Sequence, residues 1–341
     1  MKRAIAAIAV AGGMPSAAPS VAAPAVLAYY EGGGSAPSLK TFAGDLQSVA
    51  TDLFDVDASG VVTGSVPKIV RTIARTHSIQ ILVTVSNYGA HGFSESVAHA
   101  ILTPGPAQNT AIANMVTAAS GYSGLNLDFE NVRKTDRAAY TAFTQKLAMA
   151  LHEEGVTEIL SVPAETEDNP KDSWSGAYDY AALGRIADLL QAMTYDENGP
   201  WGPPGPVAGL DWVTACLTYA QSVVPAAKIN LGVPVYGYDW NVTAGGGTTV
   251  AYKAIPGLLA KTGATPQWDV AASSPWFSYT AGNGAAHVVW YENAQSITLK
   301  AGLAAASGVS GISPFALGYD DADFWAAVQA GFVRQTVSLL F

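Results

Sequence analysis

Eight short apolar runs rich in branched and aromatic residues punctuate the 341-residue chain, at 25–30 (AVLAYY), 48–54 (SVATDLF), 79–85 (IQILVTV), 124–130 (GLNLDFE), 158–163 (EILSVP), 187–195 (ADLLQAMTY), 228–236 (KINLGVPVY) and 308–317 (GVSGISPFAL). Most are continuous rather than alternating, the pattern of strands covered on both faces. Segments with helical spacing lie between them, most clearly at 66–77, 108–119, 136–153, 210–222 and 294–306. Thr135-Asp136 opens the third of these, with either side chain suited to cap its N-terminus. Alternation of strand and helix predicts βα units around a parallel sheet, and eight strands in that order predict a closed (β/α)8 TIM barrel. The stretch 239–288, with its Gly-rich turn and strand-like pieces, reads as a small α+β insertion between strands seven and eight.

Apolar residues make up 49% of the chain and charged residues 13%, enough for a large core and too apolar for intrinsic disorder. Lys2 and Arg3 precede AIAAIAVA and then a small-residue stretch ending SVAA, which predicts a signal peptide over 1–23 and a secreted or periplasmic product beginning near residue 24. The barrel with its insertion then occupies 24–341, and no later run reaches the ~18 apolar residues of a membrane span. The net charge of −10 disfavours a nucleic-acid partner and suits a neutral polymer or a small polar substrate. A single cysteine, Cys216, provides no intrachain disulfide and reads as a buried thiol.

The fourth run carries the chemistry. Alternation puts Asn126, Asp128 and Glu130 on one face and Leu125, Leu127 and Phe129 on the other. If the apolar set packs under helices, the polar set points into the barrel, where burying it is costly unless it is hydrogen-bonded or functional. Asp128 and Glu130 would lie about 6.6 Å apart along the strand, so repulsion should keep one protonated near neutral pH, as a general acid requires. Glu130 closes the run, at the rim where barrel enzymes hold their catalytic groups.

Other constellations are weaker. Residues 31–38 (EGGGSAPS) lack the spacing of a dinucleotide loop. Asp55–Gly60 opens like a calcium loop, but its twelfth position is Val66. The five histidines have no paired ligand spacing, and Gly308-Val309-Ser310-Gly311 is not a nucleophile elbow. Neither a metal nor a cofactor is expected.

The segment Ser123-Gly124-Leu125-Asn126-Leu127-Asp128-Phe129-Glu130 resembles the fourth-strand signature of the family 18 glycoside hydrolases, the chitinases and their relatives. Ser123 and Asn126 stand where that family most often has Asp. The wording GLNLDFENV is most similar to the bacterial spore-germination and cortex-lytic subgroup. The resemblance continues through Met193-Thr194-Tyr195-Asp196, LGVPVYGYDW at the seventh strand, segments of the insertion, and GISPFALG at the eighth. It implies retaining hydrolysis of β-1,4-linked N-acetylglucosamine polymers, peptidoglycan or chitin, assisted by the substrate's own acetamido group. Glu130 would be the proton donor, Asp128 would orient the acetamido group, Tyr195 would donate to its oxygen, and Asp196 would line the same subsite. Asn126, Met193, Tyr30, Trp201, Tyr236, Tyr238, Trp240 and Phe315 are the candidate substrate contacts, the aromatics as rings for sugar stacking. Phe315 stands where the family usually has Trp. The partner implied is an N-acetylated glycan, bound by a monomer. The alternative is a non-catalytic glycan-binding relative, although such lectins usually lose the donor Glu that this chain keeps.

Overall fold

The computed structural model describes residues 24–338, and side chains through residue 333. The expected signal peptide lies outside the described residues. Eight parallel strands close into a barrel: Ala25–Tyr30, Ser48–Val56, Gln80–Ser86, Gly124–Asp128, Thr157–Pro163, Leu189–Met193, Ile229–Pro234 and Gly311–Phe315. Each pairs with the next, and the first pairs with both the second (Leu27 opposite Ser48) and the eighth (Ala25 opposite Gly311). The predicted helices are present with boundaries shifted by two residues or fewer, at Lys68–His77, Pro106–Ala119, Arg137–Glu153, Leu210–Val223 and Ala294–Ser307. Further helices at Ala36–Phe42, Glu95–Leu102, Tyr180–Ile186 and Ala322–Ser338 complete the outer ring. The shorter of these escaped the periodicity because one or two turns sample too little of a 3.6-residue repeat.

Caps explain where several helices start and stop. Pro106 opens its helix just after Gly105, and the Asn293 and Ser296 side chains form a reciprocal capping box. Helix Arg137–Glu153 departs from expectation: no side chain caps it, because the Asp136 carboxylate is turned to His99 Nδ1 at 2.8 Å.

The insertion begins earlier than predicted. The chain leaves the barrel at Val235, whose N–H donates to the Phe315 carbonyl at 2.9 Å, and Tyr236–Asn241 already belongs to a separate antiparallel sheet. That sheet has five strands in the order Gly247–Ala251, Tyr236–Asn241, Ala286–Trp290, Ser274–Thr280, Gln267–Asp269, with helix Ile255–Thr262 on one face. Tyr236, Tyr238 and Trp240 point to the opposite face, towards the barrel mouth.

Apolar side chains from outer strand faces and helices form one large core between barrel and ring. Inside the barrel, Leu27, Ala50, Leu82 and Ile159 form an apolar layer. A polar belt follows along the strands: Thr84, Asn126, Ser161, Gln191, Asn230 and Ser313, all buried. The junction of insertion and barrel carries a fully buried ion pair, Lys300 Nζ to Glu292 Oε2 at 2.8 Å. Removing one partner strands the other charge, which typically costs about 3–5 kcal/mol. Lys300→Met should therefore lower the thermal midpoint substantially, and adding Glu292→Gln should recover part of the loss; a melting series of the three proteins measures both.

Candidate active site

The fourth strand places its polar face as expected. Leu125, Leu127 and Phe129 pack outward, Phe129 stacked on Phe143, while Asn126 points into the polar belt. Asn126 Nδ2 donates to Tyr29 OH at 3.2 Å and to Ser161 Oγ at 3.1 Å. Asp128 stands one step further along and is 7% exposed; its Oδ1 is buried without a hydrogen-bond partner. Burial and then the neighbouring Glu130 raise its proton affinity well above the usual carboxylate range, partly offset by a hydrogen bond involving Ser161.

Glu130 does not close the strand. The ladder ends at Asp128, and Phe129-Glu130 continue past the sheet at the rim. Asn87, directly after the third strand, holds that backbone from both sides: its Nδ2 donates to the Glu130 carbonyl at 2.8 Å and its Oδ1 accepts from the Glu130 N–H at 2.9 Å. Asn131 then turns the chain in a left-handed conformation, φ 53°. The Glu130 carboxyl is pushed up to about 8, chiefly by burial, then by the charges of Asp196 and Asp52. No Lys, Arg or His stands among the inward residues of the eight strands. Nothing cationic there lowers these values.

Tyr195 and Asp196 follow the sixth strand. The Tyr195 ring stacks on Phe315 with centroids 5.7 Å apart, and Phe315 in turn meets Tyr29 at 5.5 Å. Gly232 makes room for this arrangement. A Cβ there would lie 2.8 Å from Tyr195 Cε1 and 2.6 Å from the Ala192 carbonyl oxygen. Asp196 has φ 62°, and its Oδ1 accepts from Tyr236 OH at 2.6 Å and Tyr238 OH at 2.8 Å. Burial raises its proton affinity and the two hydroxyls work against that. Met193 is half-buried at the end of the sixth strand, in register with Pro163.

Two expected ring contacts are corrected. Tyr30 packs in the outer core, because alternation along the first strand sends Tyr29 inward and Tyr30 towards the helices. Trp240 is 2% exposed under the loop after the sixth strand, its Nε1 donating to the Gly199 carbonyl at 3.2 Å. Tyr236 and Tyr238 are also buried and present hydroxyls to Asp196 rather than open faces. Trp201 is 74% exposed on that loop, edge-on to Tyr238 at 6.4 Å, and Phe315 is half-buried over the barrel mouth. Tyr29, Asn87, Ser161 and Asp52 belong to the site and were missed. A lone Asp inside the apolar run SVATDLF was the available signal for Asp52, and alternation was the signal for Tyr29.

Gly232→Ala presses on the sixth-strand backbone at Ala192 and Thr194 as well as on the Tyr195 ring, and should reduce kcat about 100-fold through misorientation; unchanged turnover would show that this close approach is dispensable.

Comparison with known proteins follows the geometry closely. Residues 36–320 match the family described as Glycosyl hydrolases family 18. The uncharacterized glycosylase YvbX of Bacillus subtilis is 35% identical over 291 residues, 84% of this chain and 85% of that protein. The crystal structure of a chitinase from Chromobacterium violaceum is similar with a TM-score of 0.86 and 42% identity, covering 91% of this chain and 99% of that one. The Bacillus megaterium spore cortex-lytic enzyme SleL gives a TM-score of 0.85 at 28% identity, over 92% of this chain and 75% of that one. The closed barrel, the ordered motifs and the match over most of the chain together make this protein a glycosidase that belongs to family 18 of the glycosyl hydrolases.

Proposed function

We propose that the protein is an exported glycosidase that hydrolyses β-1,4-linked N-acetylglucosamine polymers, chitin or peptidoglycan, with retention of configuration and with the substrate's acetamido group as nucleophile. The observation that carries this reading is the convergence of Glu130, Asp128 and Tyr195 on one barrel mouth, with no Lys, Arg or His among the inward residues of the eight described strands to neutralise them. Similarity to a chitinase and to a spore cortex-lytic enzyme supports the two substrate classes. The basic, then apolar, then small-residue order of the first 23 residues supports export.

In the first step the protonated Glu130 carboxyl gives its proton to the glycosidic oxygen as the C1–O bond breaks. The acetamido oxygen forms a bond to C1 from the opposite face, giving a cyclic oxazolinium ion and a free alcohol. An Asp128 carboxyl oxygen accepts the acetamido N–H, and its proton affinity falls as positive charge develops beside it. Tyr195, whose hydroxyl is kept protonated by burial, donates to the acetamido oxygen. In the second step water attacks C1, the C1–oxazoline oxygen bond breaks, and Glu130 takes the water proton. Two inversions give net retention. A buried pocket strengthens each of these electrostatic contacts relative to water.

The decisive comparison is wild type against Glu130→Gln on chitooligosaccharides and on peptidoglycan, with products read by mass spectrometry. Loss of a general acid should cut turnover about 10²–10⁴-fold; near-parental turnover, or glycan binding without any cleavage by the wild type, would overturn the proposal. The initial product should be the β-anomer by proton NMR. Because the donor must be protonated in the free enzyme, kcat/KM should fall as pH rises through about 8, the value to which Glu130 is pushed.

A further inference from the structure

The second barrel strand contributes a carboxyl that the fourth-strand motif does not contain. Along Ser48–Val56, Val49 faces the outer core and Ala50 the barrel interior, so Asp52 follows Ala50 inward. Leu53 and Phe54 then both face outward, and the register against the third strand shifts between Asp52 and Phe54. Two successive outward residues at a register shift are a β-bulge, a device that re-aims the neighbouring side chain. Across the sheet Asp52 is in register with Thr84, and Thr84 with Asn126, so Asp52 stands two strands from the Asp128 strand, about 9.5 Å at the backbone. Both side chains converge on the interior.

We propose that Asp52, carried into the barrel interior by the alternation of the second strand, is a positioning residue for the proton on Glu130: it shares the mouth with Asp128 and Glu130 and keeps the donor loaded. This rests on the reading of Glu130 as donor. The groups facing Asp52 are Tyr29 and Glu31 from the first strand and its end, and Asp55 from its own strand. Asp128 and Glu130 come from the fourth strand and the turn beyond it. The third strand offers only the uncharged Thr84 and Ser86, and the Ser86 hydroxyl is committed to Asp55 at 2.9 Å. No basic residue is in this set, and the Asp52 carboxyl makes no hydrogen bond or ion pair to any described residue. Asp128 Oδ1, 7% exposed with its residue and unpartnered, faces the same space. Asp52 is itself held protonated beyond the ordinary range, first by burial, then by Asp128, Glu31 and Asp55. Its negative charge, once formed, is among the causes that raise Glu130, after burial and Asp196. The fourth strand carries an amide at Asn126, and the second strand puts an acid in register with it through Thr84.

The test compares wild type, Asp52→Asn, Asp52→Glu and Glu130→Gln on a chromogenic chitobioside from pH 5 to 9.5. Removing a unit charge at this range should move the alkaline limb of kcat/KM down by about one pH unit. The ratio of kcat/KM at pH 6 to that at pH 8.5 should then rise about seven-fold in Asp52→Asn, and Asp52→Glu should restore the parental limb. A purely structural Asp52 would lower activity equally at both pH values. Alkaline limbs that superimpose, in an enzyme that Glu130→Gln inactivates, overturn this inference and leave the function standing. Activity retained in Glu130→Gln overturns the function instead.

A melting series needs no activity. The folded Asp52 binds its proton more tightly than the unfolded chain does, so its titration costs stability as pH rises from about 4 through its folded value. Asparagine removes that loss, and the melting temperature of Asp52→Asn relative to wild type should climb with pH. A difference that stays constant with pH also overturns the inference.

Discussion

Carboxyl groups crowded into a barrel mouth without a counter-cation impose the condition on which the rest of the site depends. Each is costly to ionise there, because burial removes water and the charged neighbours are other acids. The mouth therefore retains protons that solvent-exposed carboxylates lose, and Glu130 is poised near 8. A Lys or Arg placed among the inward residues would relieve the repulsion and unload the donor. Asp52 stands in register with the belt residues Thr84 and Asn126, and Asn126 fixes Tyr29 and Ser161 there without adding another acid.

Precision comes from the rim and not from the sheet. The fourth-strand ladder ends before Glu130, so the donor is held by the two-sided amide of Asn87 from the adjacent strand end and by a left-handed turn at Asn131. Tyr195 owes its place to the missing side chain at Gly232 and to the ring of Phe315. These supports are local and rigid, which suits a reaction whose nucleophile belongs to the substrate and must be met by groups already in position.

The barrel was legible because each of its strands is a compact apolar run and its longer helices repeat often enough to show their period. The catalytic row was legible because Asn126, Asp128 and Glu130 alternate with Leu125, Leu127 and Phe129. Direction failed where two like residues stand side by side: Tyr29 and Tyr30 are indistinguishable by type, and only alternation against the closed sheet separates them. Trp240 misled because its strand had already left the barrel at Val235, which sequence continuity from LGVPVY concealed. Asp52 obeys the alternation that sends Ala50 inward, and only the bulge at Leu53-Phe54 departs from a period of two; a lone acid in an apolar run carries no motif to mark it. Asn87 carries no local pattern at all; its importance comes from a backbone 43 residues away.

Both hydroxyls that grip Asp196 come from the excursion between the seventh and eighth strands, whereas Asp196 itself follows the sixth. The reaction centre is thus jointly owned by two pieces of the chain. Exchanging that excursion between family members would transplant half of an acid's environment along with any new glycan contacts, so recombination across this joint is constrained to partners that bring a matching pair of phenols.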